Sequence, residues 1–186
     1  MELIDHFRRM AENNCWSNDR LYRAVAALKP GEFAAARTSF FPSIKATLNH
    51  LLAVDLYYLD ALQEAGAGSR IFDNYVDFDE PDRLAEAQGL FDRRLIAFCD
   101  GLTAPDLDRR VVTDRRDAGQ FAERIGDLLA HLFIHEIHHR GQVHAMLSGT
   151  SIKPPQLDEF FLDYDWQFRK EEVGRLNLGG RSEATS

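Results

Sequence analysis

Apolar residues recur at intervals of three and four along most of this chain, the period of a helix that buries one face. Leu3, Phe7, Met10, Ala11, Leu21, Ala24, Val25 and Leu28 trace one such stripe and predict a long helix to about Ala27. Lys29-Pro30-Gly31 ends it, because proline lacks the N–H a helix needs and glycine readily leaves helical geometry. Phe40, Phe41 and Pro42 lead into Ser43, a side chain suited to cap a helix N-terminus. A second stripe follows through Ile44, Leu48, Leu51, Leu52, Leu56, Leu59 and Leu62, broken at Gly66-Ala67-Gly68-Ser69. Residues 70–80 hold aromatics without periodicity and read as a packed loop. Pro81, good in a first turn, opens a third helix to Phe98 or Cys99.

From Asp106 to Gln120 the pattern changes. Arg110-Val111-Val112-Thr113 suits an extended segment and Asp117-Ala118-Gly119-Gln120 a turn, so a short hairpin could precede the last long helix. That fourth helix is expected from about Ala122 to Leu147. Pro154-Pro155 opens an aromatic segment (Phe160, Phe161, Tyr164, Trp166, Phe168), expected to be a helical turn packed on the rest, with a tail after Gly174. The expected architecture is all-α, an antiparallel four-helix bundle, as one domain over residues 1–170 with a flexible tail over residues 171–186.

Composition narrows the function classes. The chain has 186 residues, 45% of them apolar, enough for one domain with a full core. A net charge of -8 argues against nucleic acid or an anionic membrane as partner. Cys15 and Cys99, the two cysteines, fit a reducing cytoplasm rather than a disulfide framework. The first residues lack the charged-then-apolar order of a signal peptide, and no apolar run approaches the ~18 residues that span a bilayer.

The chemistry concentrates in His135-Glu136-Ile137-His138-His139-Arg140-Gly141-Gln142. Imidazole is the commonest protein metal ligand, and histidines four apart on a helix can share one ion. Projected around the helix, His139 lies roughly 60° and His135 roughly 100° from the middle of the apolar stripe, whereas His131 and His138 lie beyond about 130°. His135 and His139 are therefore the pair expected to look inward. His50 on the second helix supplies a third nitrogen, and three ligands leave a position for water or substrate, as in catalytic zinc sites.

The run His135 to His139 also matches H-E-x-x-H, in which the glutamate is a protease's general base. The longer protease pattern needs Gly three and His six residues beyond the second ligand. Gly141 and His144 fall one residue short, so the register fails. Glu136 projects near the middle of the apolar stripe and reads as a buried hydrogen-bond partner.

Three segments together resemble the DinB/YfiT-like superfamily of metal-binding four-helix bundles. Asn14-Cys15-Trp16-Ser17-Asn18-Asp19-Arg20-Leu21 is similar to its N-x-W-A-N-x-x-L, and Ser43 to His50, followed by Asp55, is similar to its S-I-x-x-T-L-x-H. His135 to Gln142 resembles its H-x-x-H-H-R-G-Q signature, while Leu157-Asp158-Glu159-Phe160 follows the family's later segment only loosely. The resemblance implies His50, His135 and His139 as metal ligands, with nickel or zinc as the usual ion, and a homodimer. It casts His138, Arg140 and Gln142 as supporting residues, and Trp16 and Asn18 as packing the first helix against the site.

Relatives of that superfamily include S-transferases and isomerases that use low-molecular-weight thiols such as mycothiol or bacillithiol. The expected function is a metal-dependent enzyme of that kind, or one using metal-activated water. The alternative is a non-enzymatic metal-binding stress-response protein. Glu136, Asp55 and Asp19 are the weak candidates for a general base.

Overall fold

The computed structural model describes residues 2–179. Four long helices, α1 (Leu3–Ala26), α2 (Ile44–Leu62), α4 (Pro81–Gly101) and α5 (Ile125–Leu147), share one core. Helix α1 packs on α4 and α5, and α2 packs on the same two. The elements begin where local chemistry directs. Ser43 Oγ accepts the Ala46 N–H at 3.0 Å, satisfying one of the four donors a helix start leaves open, and Pro81 occupies the first turn of α4. The inward stripes of all four helices meet in fully buried side chains such as Leu21, Leu48, Leu84, Phe91 and Leu129. Among the described residues the fold is all-α apart from one small sheet. No helix among the described residues is long and apolar enough to cross a membrane.

That sheet changes one expected boundary. Strands β1 (Arg110–Asp114) and β2 (Gln120–Arg124) pair antiparallel, from Arg110 opposite Arg124 to Asp114 opposite Gln120. Residues 122–124, expected in the last long helix, therefore belong to a strand, and α5 starts at Ile125. Their backbone groups are taken by β1, a partner that periodicity within the helix cannot reveal. Gly119, at φ +91°, closes the turn in a conformation that costs glycine least.

Three further segments depart from expectation. Within the stretch read as a loop, Arg70–Asn74 forms a single-turn helix, α3, too short to register as a period and with no buried residue. Helix α4 runs on to Gly101, beyond the expected end at Cys99, with Leu102 buried just after it. Helix α6 (Trp166–Leu176) is longer than the expected turn and passes through Gly174. It stops at Asn177, whose left-handed backbone (φ 53°) terminates it. Residues 180–186 of the expected tail lie outside the described residues.

Candidate metal centre

Helix α5 carries two polar stripes side by side, because residues four apart are neighbours on a helix and adjacent residues differ by about 100°. His135 and His139 form one stripe, and Glu136 and Arg140 the other. The first faces α2. His50 Nε2 lies 3.3 Å from His135 Nε2, and the rings of His50 and His139 meet edge to face at 4.8 Å between centroids. Each of the three histidines offers a ring nitrogen, all within 4.8 Å of one another.

The electrostatics favour the neutral, ligating form. Burial pushes the His50 imidazole down to about 4, helped by the neighbouring His139. Burial, followed by His139 and His50, pushes His135 down to about 3. Burial also lowers His139, against the opposing effect of its hydrogen bond to Gln142. All three rings are thus uncharged at neutral pH, each with one nitrogen lone pair for a cation. His139 Nδ1 donates to Gln142 Oε1 at 2.8 Å, which leaves Nε2 as the free nitrogen. The Gln142 amide lies 3.1 Å from His138 Nε2 on its other side, so His138 supports the amide rather than joining the trio. His135 Nδ1 is buried without a hydrogen-bond partner among the described residues. Three neutral imidazoles converging from two helices fit a borderline divalent cation such as zinc or nickel.

Phe41 completes the wall. Its ring stacks on His50 at 4.2 Å and tilts against His139 at 5.6 Å. In the sequence, Phe41 stands only as part of the approach to the Ser43 cap. The available signal was an aromatic pair, Phe40-Phe41, placed just before the helix that carries His50.

The second stripe of α5 enters a buried polar network that joins all four long helices. Arg140 donates to Glu136 Oε2 at 2.8 Å, to Asn18 Oδ1 at 3.1 Å and to Asn14 Oδ1. Asn14 and Asn18 also donate to Asp92 Oδ1 of α4, at 3.2 and 3.0 Å. Gln88 donates to Asp55 Oδ2 of α2 at 2.9 Å. Asp55 Oδ1 has no donor facing it among the described residues, yet the Glu136 carboxyl is its neighbour. Burial first, and the Glu136 charge second, raise Asp55 well above the usual carboxylate range, so it keeps its proton.

This network settles several expectations. Glu136 is fully buried and bonded to Arg140, as its projection suggested. Asp55 and Glu136 are structural partners, and Asp19 pairs with Arg175 of α6 at 2.5 Å, so none of the three is placed as a base beside the histidines. Asn18 serves the network. Trp16 packs on Phe160, and its Nε1 donates to Glu172 at 2.8 Å, so it ties α1 to α6 rather than to the histidines. His131 pairs with the Tyr58 hydroxyl at 3.0 Å, and His144 lies on a different groove with Leu157 and Asp158.

A pH prediction follows from Asp92. Burial first, and the Glu136 charge second, push its carboxyl up to about 7, against hydrogen bonding from Asn18 and the charge of Arg140. A folded acid with a raised value binds its proton more tightly than the unfolded chain does. Its contribution to stability is therefore present at acidic pH and is lost as pH rises from about 4 to about 7. Asp92→Asn keeps an oxygen for Asn14 and Asn18 but never ionises. The variant should gain stability over wild type between about pH 5 and pH 8, read as the difference in urea midpoints. A difference that stays constant across that range would remove Asp92 as the titrating group.

Comparison with known proteins agrees with this architecture. A family model described as the DinB family matches residues 4–172. The protein DinB of Bacillus subtilis (strain 168) is 24% identical over 150 residues, covering 78% of this chain and 86% of that protein. The crystal structure of a DinB-like protein, YjoA, from Bacillus subtilis superposes with a TM-score of 0.55. It shares 18% identity and covers 84% of this chain and 98% of its own, a likeness of fold.

Proposed function

The chain belongs to the DinB family, and from that premise we propose that it binds one divalent cation, nickel or zinc, through His50, His135 and His139 and acts as a metal-dependent enzyme on a low-molecular-weight thiol. The observation that carries this reading is the approach of three neutral imidazole nitrogens, within 4.8 Å of one another, from two helices. A bound cation would supply Lewis acidity there, making a thiol or a water nucleophilic at neutral pH. The chain's own residues do the rest. Gln142 holds the His139 tautomer, Phe41 covers the His50 ring, and burial keeps the imidazoles uncharged. With Asp55 and Glu136 held in the buried network, the thiol proton passes to solvent rather than to a nearby carboxylate.

The test uses protein purified without a histidine tag. Metal analysis should find about one divalent ion per chain. With an activated aryl chloride as acceptor, a panel of small thiols should give turnover in which a carbon–sulfur bond forms and chloride leaves. A chelator should abolish that turnover and the added metal restore it. Metal-loaded protein that activates no thiol would favour the non-enzymatic reading. Protein that binds no divalent metal would overturn the site.

A further inference from the structure

Of the three histidines, His135 also lines a cleft of about 310 Å³, whose other walls come from α2, the α3 region and the turn of the hairpin. We propose that this cleft seats a small organic carboxylate, its carboxylate paired with Arg115 and its other end toward the three-histidine centre. The identity of the reacting end rests on the metal reading above; the recognition of the carboxylate does not.

The walls are mainly apolar and aromatic, contributed by Val54, Tyr57, Tyr58 and Phe72. Both phenol hydroxyls are already committed. Tyr57 Oη donates to the Asp114 carbonyl at 2.7 Å, and Tyr58 Oη accepts from Arg115 at 3.2 Å while pairing with His131. What these tyrosines offer an occupant is therefore ring surface.

Arg115 is the cation of this wall that makes no direct ion pair among the described residues, although the more distant Glu123 charge acts on it. Its guanidinium lies 5.8 Å from the Tyr57 ring centroid and 5.5 Å from that of Tyr58, held by aromatic faces and one phenol oxygen. Three other arginines of the hairpin region are paired with acids: Arg116 with Asp73 at 2.5 Å, Arg124 with Asp127 at 2.8 Å, and Arg109 with Glu64, while Arg110 donates to the Ala122 carbonyl at 2.7 Å and lies outside the cleft. Among the described residues no carboxylate lies within 4.0 Å of the Arg115 guanidinium. The one carboxylate lining the cleft, Asp114, is occupied by Ser69 Oγ at 2.6 Å, by the Ser69 N–H at 3.2 Å and by the Arg116 N–H at 3.0 Å.

Chemistry selects the class of occupant. A guanidinium fork matches a carboxylate through two parallel N–H donors, and a pocket of mostly ring surface suits an apolar body. The volume sits at the small end of ligand pockets, which limits the occupant to a small molecule. In a chain of net charge -8, an anion needs such a local cation to approach.

The carboxylate could belong to the thiol or to the acceptor, and two probes separate these sources. Calorimetric titration of 3-phenylpropionate and of 3-mercaptopropionate is carried out on metal-free protein and on protein loaded with cobalt, whose visible spectrum reports sulfur ligation. The amide of 3-phenylpropionate serves as the neutral control. At least one acid should bind, its amide or ester about tenfold or more weakly, and Arg115→Met should weaken the acid by a similar factor. Arg115→Lys should restore part of that loss, while Arg110→Met, a hairpin arginine outside the cleft, should leave binding unchanged. Metal content and thermal midpoint should match wild type in every arginine variant.

A cobalt–sulfur band with 3-mercaptopropionate that needs Arg115 assigns the cleft to the thiol. Binding of 3-phenylpropionate without such a band assigns it to the acceptor. Acid binding by a protein that takes up no metal would keep the cleft and discard the metal reading. Equal affinity in Arg115→Met and wild type, or no binding of either acid in either form, overturns the proposal.

Discussion

His50→Ala should strip the protein of divalent metal as completely as His135→Ala or His139→Ala does. With only three protein donors, the loss of any one leaves two, and affinity should fall by more than about a hundredfold, beyond what loss of a supporting residue costs. The three positions differ sharply in the chain yet offer nitrogens within the same 4.8 Å cluster. Equivalence between a histidine of α2 and the pair on α5 is what a shared ion requires. Three neighbouring histidines serve as controls: His131 pairs with Tyr58, His138 with Gln142, and His144 lines another groove. Alanine at those positions should leave the metal content within about twofold of wild type. Elemental analysis of tag-free protein and a competition titration with a chromogenic chelator measure both quantities. Wild-type metal content in His50→Ala would reduce the centre to a pair of histidines on one helix and sink the two-helix arrangement.

The second large effect lies on the neighbouring stripe of α5, about 100° round the helix. Arg140→Met should destabilise the fold by about 3–5 kcal/mol, the range found when one partner of a buried ion pair is removed. The Arg140 side chain is 5% exposed and that of Glu136 is fully buried, at 2.8 Å from each other. Truncating the cation leaves the Glu136 charge facing Asp55 and Asp92, the acids that already sit raised beside it. It also removes the donor that Asn14 and Asn18 accept from. Arg140→Met with Glu136→Gln should recover part of the loss, since no uncompensated charge remains in the interior. Lysine at this position should fall between, because an ammonium keeps the charge but not the reach and shape that bring Arg140 Nη1 to Glu136, Asn14 and Asn18. Urea unfolding gives the three values. A cost below about 1 kcal/mol for Arg140→Met would show that water or rearrangement satisfies Glu136 in the variant.

These two stripes explain why the same eight residues invite two readings. Taken as a string, His135-Glu136-Ile137-His138-His139 offers a glutamate between ligands, as a protease helix does. In the folded chain the glutamate is turned by about 100° from its neighbouring histidine and buried in the network that fastens α5 to α1, α2 and α4. The histidines and the glutamate therefore serve different interfaces of one helix.

Much of this was written locally. The helix ends at Lys29-Pro30-Gly31, Ser43 and Pro81 depend on the chain's own next few residues, so they could be read directly. The inward phase of His135, Glu136 and His139 follows from helical geometry and the apolar stripe around them. Other features depend on partners far along the chain. Residues 122–124 became a strand because β1 supplies the hydrogen bonds, and α6 extends past Gly174 with Val173 and Glu172 packed against Trp16 of α1. Phe41 became a wall of the histidine cluster, and Arg115 a cation over two tyrosines, only when loops closed across α2. Periodicity reports which face of a helix is buried but not what meets it there. Packing brought His50 to the histidine pair and gathered Asp55, Asp92 and Glu136 around one arginine, because the energy of such clusters resides in contacts between helices rather than along them.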